Sequence, residues 1–267
     1  LREHNFYTIS DNLFNLTPRD FGNYTFLKHN NKNFPRIYHV NHHCSHAGNT
    51  FYLSNFNKAA ILTCDFKGEY QCTTWGIGFN NKIKILKSQN MPNSLGMFYA
   101  TFTSILGYKP DSDEWKVMAM SAYNYDCKEY ITKLRKTYKL LKNGELELIA
   151  KYFSYFGQGS FNSLYTKELM KLLNVKDVSY RSSPTKKQIR IAKALQFCSE
   201  EIAVHFLNYL YKITKCKNVA LSGGFFMNSV FNGKIVKKTK FENSYISHSP
   251  TDLGNSIGSA LYLYYNI

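Results

Sequence analysis

Three of the chain's eight histidines fall within five positions, in Asn41-His42-His43-Cys44-Ser45-His46-Ala47. On a helix, the four-residue step from His42 to His46 puts both imidazoles on one face, about one turn apart. That spacing suits two ligands of one metal ion. No glutamate follows His42, so the paired-histidine motif of metalloproteases is absent. A His-rich surface turn is the competing reading. Asp65 closes the apolar run Ala59–Cys64 and precedes Gly68-Glu69. A carboxylate at a strand end can face a cleft and bind a metal or a hydroxyl, although aspartates that merely open turns are common.

A second group of residues suits phosphate and nucleotide. In Leu221-Ser222-Gly223-Gly224-Phe225-Phe226-Met227-Asn228, an apolar strand runs through Gly-Gly into a helix. Such a turn lets a phosphate approach backbone N–H groups at a helix start, and glycine permits the close approach. A tight turn alone would explain the same pair. Asn228 and Asn232 share one helix face and could reach a ribose or base. Lys116 could contact a phosphate or an anionic substrate, or be an ordinary surface lysine. Asp252, in Pro250-Thr251-Asp252-Leu253-Gly254-Asn255-Ser256-Ile257-Gly258, stands at a helix start, where an N-cap role suffices. Gly254 and Gly258 would let another element pack very close to that helix.

The elements that must position these residues follow from hydrophobic period and turn signals. Arg36 to Asn41 reads as a short strand and His43 to Leu53 as a helix. Ala59–Cys64, Tyr70–Gly78 and Lys82–Leu86 read as an antiparallel meander, with a hairpin turn at Asn80-Asn81. Ser94 caps a helix that ends at Gly107. Helical segments are expected over 113–120, 126–141 and 161–173. Ser183-Pro184-Thr185 opens a long helix to about Ile213. Strands at Asn218–Leu221 and Tyr245–Ser247, and a last helix from Asp252 to Tyr264, complete a mixed α/β domain. Residues 1–35 read as a peripheral segment and 36–267 as the domain.

Composition bounds the function classes. The 267 residues are 44% hydrophobic, which excludes a disordered chain. No run approaches the roughly 18 apolar residues of a membrane span. The formal charge of +16 raises the expectation of a polyanionic partner, yet the lysines are scattered, with clusters only at Lys186-Lys187 and Lys237–Lys240. The six cysteines form no C-x-x-C pair, which argues against a cysteine zinc site and for reduced thiols in the cytoplasm. The chain opens on Leu1 with no signal-like segment, which reads as a fragment boundary.

Taken in order, these segments resemble the carbamoyltransferase family of nodulation and antibiotic-biosynthesis enzymes. The resemblance rests on His42-His43-Cys44-Ser45-His46-Ala47, Asp65 to Glu69, and Ser94-Leu95-Gly96 with Tyr99. It continues through Glu114 with Lys116-Val117-Met118, Gly223-Gly224 with Asn228 and Asn232, and Pro250, Asp252, Gly254, Ile257 and Gly258. It covers roughly residues 36–265. It implies an actin/Hsp70-like (ASKHA) fold, related to the tRNA threonylcarbamoyl-transfer enzymes. It implies one divalent metal ion, Fe2+ or Zn2+, held by His42, His46 and Asp252 with Asp65 contributing. Gly224 and Asn228 would contact the adenylate. The activity implied is transfer of a carbamoyl group from carbamoyl adenylate to a hydroxyl of a sugar or secondary metabolite, with carbamoyl phosphate and ATP as its source. Three departures stand out. The family's N-terminal strand histidine, thought to activate the acceptor, is not found, so the first lobe is expected to be incomplete. The adenylate-forming C-terminal domain is not found after Ile267, which points to a separate domain or subunit. Phe66 stands where the family usually has glycine. The alternatives are a tRNA threonylcarbamoyl transferase, favoured by the charge, and a non-catalytic nucleotide-binding fragment.

Overall fold

The computed structural model describes residues 38–154, 164–176, 178–180 and 183–266. The chain divides into a short unit, Leu1–Asn41, and a large one, His42–Ile267. The described part of the first, 38–41, carries no strand, contrary to the sequence reading of Arg36–Asn41.

The large unit is built on one five-stranded mixed sheet. Its strands are β1 (Lys58–Gly68), β2 (Gln71–Phe79), β3 (Lys82–Asn90), β4 (Asn218–Ser222) and β5 (Asn243–Ile246), in the order β3-β2-β1-β4-β5. β2 runs against β1 and β3, whereas β4 lies parallel to both β1 and β5. Thus β2 alone is reversed, and β1, β4 and β5 deliver their carboxyl ends to one edge.

The central strand β1 is buried along most of its length, so it reads as a continuous apolar run. Its alternate residues serve two cores. Ala59 and Ile61 join Ala47, Phe51 and Ala220 on one face. Ala60, Leu62 and Cys64 join the larger core on the other, with Trp75, Phe98, Leu195 and Phe206. Helix α1 (His42–Phe51) covers the first face and packs on the last helix, α9 (Asn255–Asn266). Helices α2 (Leu95–Ile105) and α6 (Lys186–Thr214) cover the second. α6 opens with a capping box between Thr185 and Gln188, worth about 1 kcal/mol, and stops at Lys215 in the left-handed region, φ 53°. The indole of Trp75 donates to the Phe206 carbonyl at 3.1 Å and ties sheet to helix.

Between α2 and α6 lie the short helices α3 (Glu114–Met120), α4 (Lys128–Leu134) and α5 (Lys167–Leu173) and a hairpin of β6 (Tyr138–Leu140) with β7 (Leu146–Leu148). The helix expected over 126–141 therefore breaks after Leu134. Gly144, at φ +85°, reverses the chain, and the period of two in Tyr138, Leu140, Leu146 and Leu148 suits a ladder with one face on the core. Helix α5 starts at Lys167, later than expected, because Thr166 caps it through Leu169 N–H. Residues 161–163 lie outside the described ones. After β4, the chain makes a 3-10 turn, Gly224–Met227, and the short helices α7 (Ser229–Asn232) and α8 (Ile235–Lys238). Among the described residues, no helix is long and apolar enough to cross a membrane. All six cysteines are free thiols.

Candidate metal centre and nucleotide cleft

The carboxyl ends of β1 and β4 meet the first turn of α1 and the turn after β5. Counting along β1, Ala59, Ile61, Thr63 and Asp65 all face α1. The parity therefore aims Asp65 at the histidines. His42 and His46, one turn apart, reach it from above. The turn 250–254 brings Asp252 to the same point.

Asp65 Oδ2 lies 3.0 Å from His42 Nε2 and 3.0 Å from His46 Nε2. Asp252 Oδ1 lies 3.3 and 3.2 Å from the same two nitrogens, which are 3.1 Å from one another. The four donor atoms all fall within 4.8 Å. Donors held about 2.0–2.2 Å from one ion stand roughly 3 Å apart, and that is the spacing here.

The hydroxyl of Ser222 settles the tautomer of His46. Its hydrogen goes to the Pro250 carbonyl at 3.2 Å, so its oxygen accepts from His46 Nδ1 at 3.2 Å. With the proton on Nδ1, the Nε2 lone pair faces Asp65, Asp252 and His42. That position calls for a positive charge, either a second proton or a metal ion. The Asp65 carboxyl shows the same demand. Burial alone would raise its pKa, but hydrogen bonds from His42 and His46 outweigh burial and hold it well below the usual carboxylate range. Burial opposes charging His46, yet its bonds to Asp252 and Asp65 move it upward from 6.5. His43 stands apart from the donor group. Its Nδ1 meets Thr63 Oγ1 at 2.7 Å, and burial pushes its pKa down to about 4.

Beside the donor group opens a cleft of about 640 Å³. Asp65, Gly224, Asn228 and Asp252 line its inner wall, and Tyr99, Trp115, Met118, Phe225, Met227 and Leu253 supply its apolar surface. Ligands of open α/β sheets settle at the carboxyl ends of parallel strands, and this cleft lies there.

A family model described as carbamoyltransferase N-terminus matches residues 7–261. The chain belongs to the carbamoyltransferase family. It is 30% identical over 230 residues to protein sll1178 of Synechocystis sp., covering 86% of this chain and 37% of that one. It is 29% identical over 227 residues to nodulation protein NolNO of Sinorhizobium fredii, covering 85% of this chain and 31% of that one. The chain thus spans about a third of the length of these relatives. The crystal structure of T. kodakarensis HypF overlaps 85% of this chain and 36% of its own, with TM-score 0.40 and 13% identity.

The remaining motif residues of the chain take different places. Ser94 donates to the carbonyls of Phe66 and Asp65 at 2.8 and 3.1 Å while it caps α2. A Cβ on Gly96 would meet the Phe66 backbone at 2.8 Å. Ser94 and Gly96 therefore lock the end of β1 that carries Asp65. Phe66 lines the cleft. The Gly223 and Gly224 N–H groups are both committed, to the Pro250 carbonyl at 2.7 Å and to Asp65 Oδ1 at 3.0 Å. In this structure both N–H groups therefore face the chain's own oxygens. Gly223, at φ +104°, is needed for the turn against Cys64, and Gly224 offers the cleft a wall without a side chain.

Asn228 does not share a helix face with Asn232; it caps α7 through Phe231 N–H. Its amide pairs both ways with Gln196, at 2.9 and 3.1 Å, and Gln196 is anchored on Glu200 at 3.0 Å. Asn232 turns inward and donates to the Phe226 carbonyl at 2.7 Å. Lys116 pairs with Asp113 at 2.9 Å and lies over the Trp115 and Tyr180 rings, outside the cleft lining. Asp252 is not an N-cap. It opens a 3-10 turn whose cap is Thr251, which leaves its carboxylate to the histidines. The sequence alone does not single out Ser222, Gln196 or Glu200; Ser222 lies inside the strand–Gly-Gly segment, and Gln196 and Glu200 stand out only as an i, i+4 polar pair on an otherwise apolar helix face.

Proposed function

We propose that this chain is the transfer part of an O-carbamoyltransferase. It binds carbamoyl adenylate in the cleft and passes the carbamoyl group to a hydroxyl of a sugar or secondary metabolite. The observation that carries this reading is the convergence of His42 and His46 on Asp65 and Asp252, two carboxylates that line the cleft with Gly224. Two imidazoles and two carboxylates suit Fe2+ or Zn2+. When bound, that ion would supply Lewis-acid polarisation of the carbamoyl oxygen.

The chain's own residues do the rest. The Ser222 hydroxyl holds His46 in the ligating tautomer, and Ser94 and Gly96 hold Asp65. Gly224 gives the adenylate room to approach. Asn228, fixed by Gln196 and Glu200, lines the wall on which the ribose or base would lie, and the apolar wall excludes water. In the transfer, the acceptor oxygen bonds to the carbamoyl carbon and the bond from that carbon to the AMP phosphate oxygen breaks. AMP leaves with the electron pair, and the hydroxyl proton passes to solvent or to a cleft carboxylate. Asp111 and Glu114 line the cleft, and burial raises the pKa of both, which makes them better bases.

We place formation of the adenylate from carbamoyl phosphate and ATP in a separate domain or subunit. The sheet, with β2 alone reversed, is compatible with one lobe of an actin/Hsp70-like (ASKHA) fold. A second reading, threonylcarbamoyl transfer to tRNA, is favoured by the net charge of +16. Retention of tRNA at moderate salt would support it over the first. The test of the first reading is AMP release from chemically made carbamoyl adenylate. Release stimulated by a sugar hydroxyl and lost in His46→Ala is expected. Release that ignores both acceptor and substitution would overturn the proposal.

A further inference from the structure

Asn255 begins α9 one residue after the turn that carries Asp252. Its side-chain amide nitrogen lies 3.3 Å from His46 Nε2. That is the separation the four donor atoms keep among themselves, 3.0–3.3 Å over the five pairs involving a histidine. The same nitrogen of His46 cannot both ligate a cation and accept from this amide, because it has one lone pair. The other end of the amide is anomalous too: Asn255 Oδ1 is buried and meets no hydrogen-bond donor. An orphaned buried acceptor costs about 1–3 kcal/mol, so native structures rarely keep one without a use.

One rotation ends the competition at His46 Nε2 and gives the oxygen a use. Turning the amide by 180° about its last bond exchanges two atoms of nearly equal size, an assignment that hydrogen-bonding partners must decide. The oxygen then faces the point on which His42, His46, Asp65 and Asp252 converge. We infer that Asn255 is a fifth donor to the metal centre and contributes its side-chain carbonyl oxygen to the bound cation. Carbonyl oxygens are ordinary ligands of hard and borderline divalent ions. The inference rests on the metal reading proposed above and adds a residue that neither the histidine spacing nor the family motifs single out.

The packing explains why the group is held there. Gly254 and Gly258 let the start of α9 lie directly against Asn49 and Ser45 of α1. The Asn49 amide donates to the Ser249 carbonyl at 2.7 Å. α9 and the helix of the two histidines are therefore one clamped pair, and Asn255 sits at the clamp's inner edge.

The test is Co2+ binding to the full chain by chelator competition, with the visible spectrum as a second readout of coordination number. Asn255→Ala and Asn255→Leu are expected to bind Co2+ about 10- to 100-fold more weakly than the parent, and to shift the spectrum toward fewer ligands. Asn255→Asp, which keeps an oxygen in place, is expected to retain parent affinity or exceed it. Circular dichroism checks that each variant is folded; alanine at a helix start is well tolerated. Parent-like affinity and spectrum in both the alanine and leucine variants, with binding lost in His46→Ala, would overturn the role of Asn255 alone. Parent-like Co2+ binding in His46→Ala would overturn the metal reading itself, and this inference with it.

Discussion

At the residue scale, the chemistry of the site turns on which nitrogen of each histidine carries a proton. Three neighbouring histidines meet three environments. His46 is tied by Ser222 so that its lone pair faces carboxylates, whereas His43 has its Nδ1 on Thr63 and is pushed down to about 4 by burial. This difference has a measurable sign. Below pH 6.5 the unfolded chain binds a proton at His43 that the folded chain refuses until about pH 4. The contribution of this residue to stability is therefore fully present above 6.5 and is lost as pH falls toward 4. The expected loss is up to about 3 kcal/mol. Chemical denaturation with EDTA present, from pH 8 to pH 4, checks it. The difference in stability between the parent and His43→Gln should shrink as pH falls through that window. A difference independent of pH would show that His43 is not held neutral. The sequence made His42 and His46 legible as a pair because helical spacing is local. It could not say that His43 was excluded, since the reason lies in Thr63, twenty residues away across a sheet.

At the element scale, legibility followed the range of the interaction that decides each piece. The capping box of α6, the meander and the Ser94 cap are written in adjacent residues, and they form where expected. The helix expected over 126–141 failed because its second half pairs with Leu146–Leu148, a contact made only after the chain turns at Gly144. For Asp252 the sequence left an N-cap role open beside the ligand role that the resemblance implied, because carboxylates at helix starts are usually caps. Its real place depends on a 3-10 turn that starts α9 late. The glycines of that last motif do what their spacing suggested and let another helix come close. A Cβ on Gly258 would strike the Ser45 carbonyl, whereas one on Gly233 would find its nearest neighbour, the Ser229 carbonyl, at 3.8 Å. Gly258→Val is expected to destabilise the chain by about 1–3 kcal/mol and to weaken metal binding, because α9 carries Asn255 and follows Asp252. Gly233→Ala should change neither by more than about 0.5 kcal/mol. Thermal unfolding and chelator competition on the two variants check the contrast. A Gly258→Val protein as stable as Gly233→Ala would mean that the α1–α9 contact does not set the site.

At the scale of the whole molecule, three parallel strands deliver Asp65, Ser222 and the 250–254 turn to one edge, and one helix laid across that edge supplies the histidines. Residues separated by up to 210 positions, from His42 to Asp252, become one donor group, which explains why four short motifs scattered along a sequence can belong to a single site. The chain spans about a third of its curated relatives, so its part of the chemistry is best tested at the feature it holds entirely. That feature is the proposed metal centre, His42, His46, Asp65 and Asp252. The most direct measurement is elemental analysis of the purified chain after reconstitution with Fe2+ or Zn2+ and gel filtration. About one ion per chain is expected in the parent and almost none in His42→Ala/His46→Ala, with both proteins folded. Equal metal content in the two proteins would contradict it.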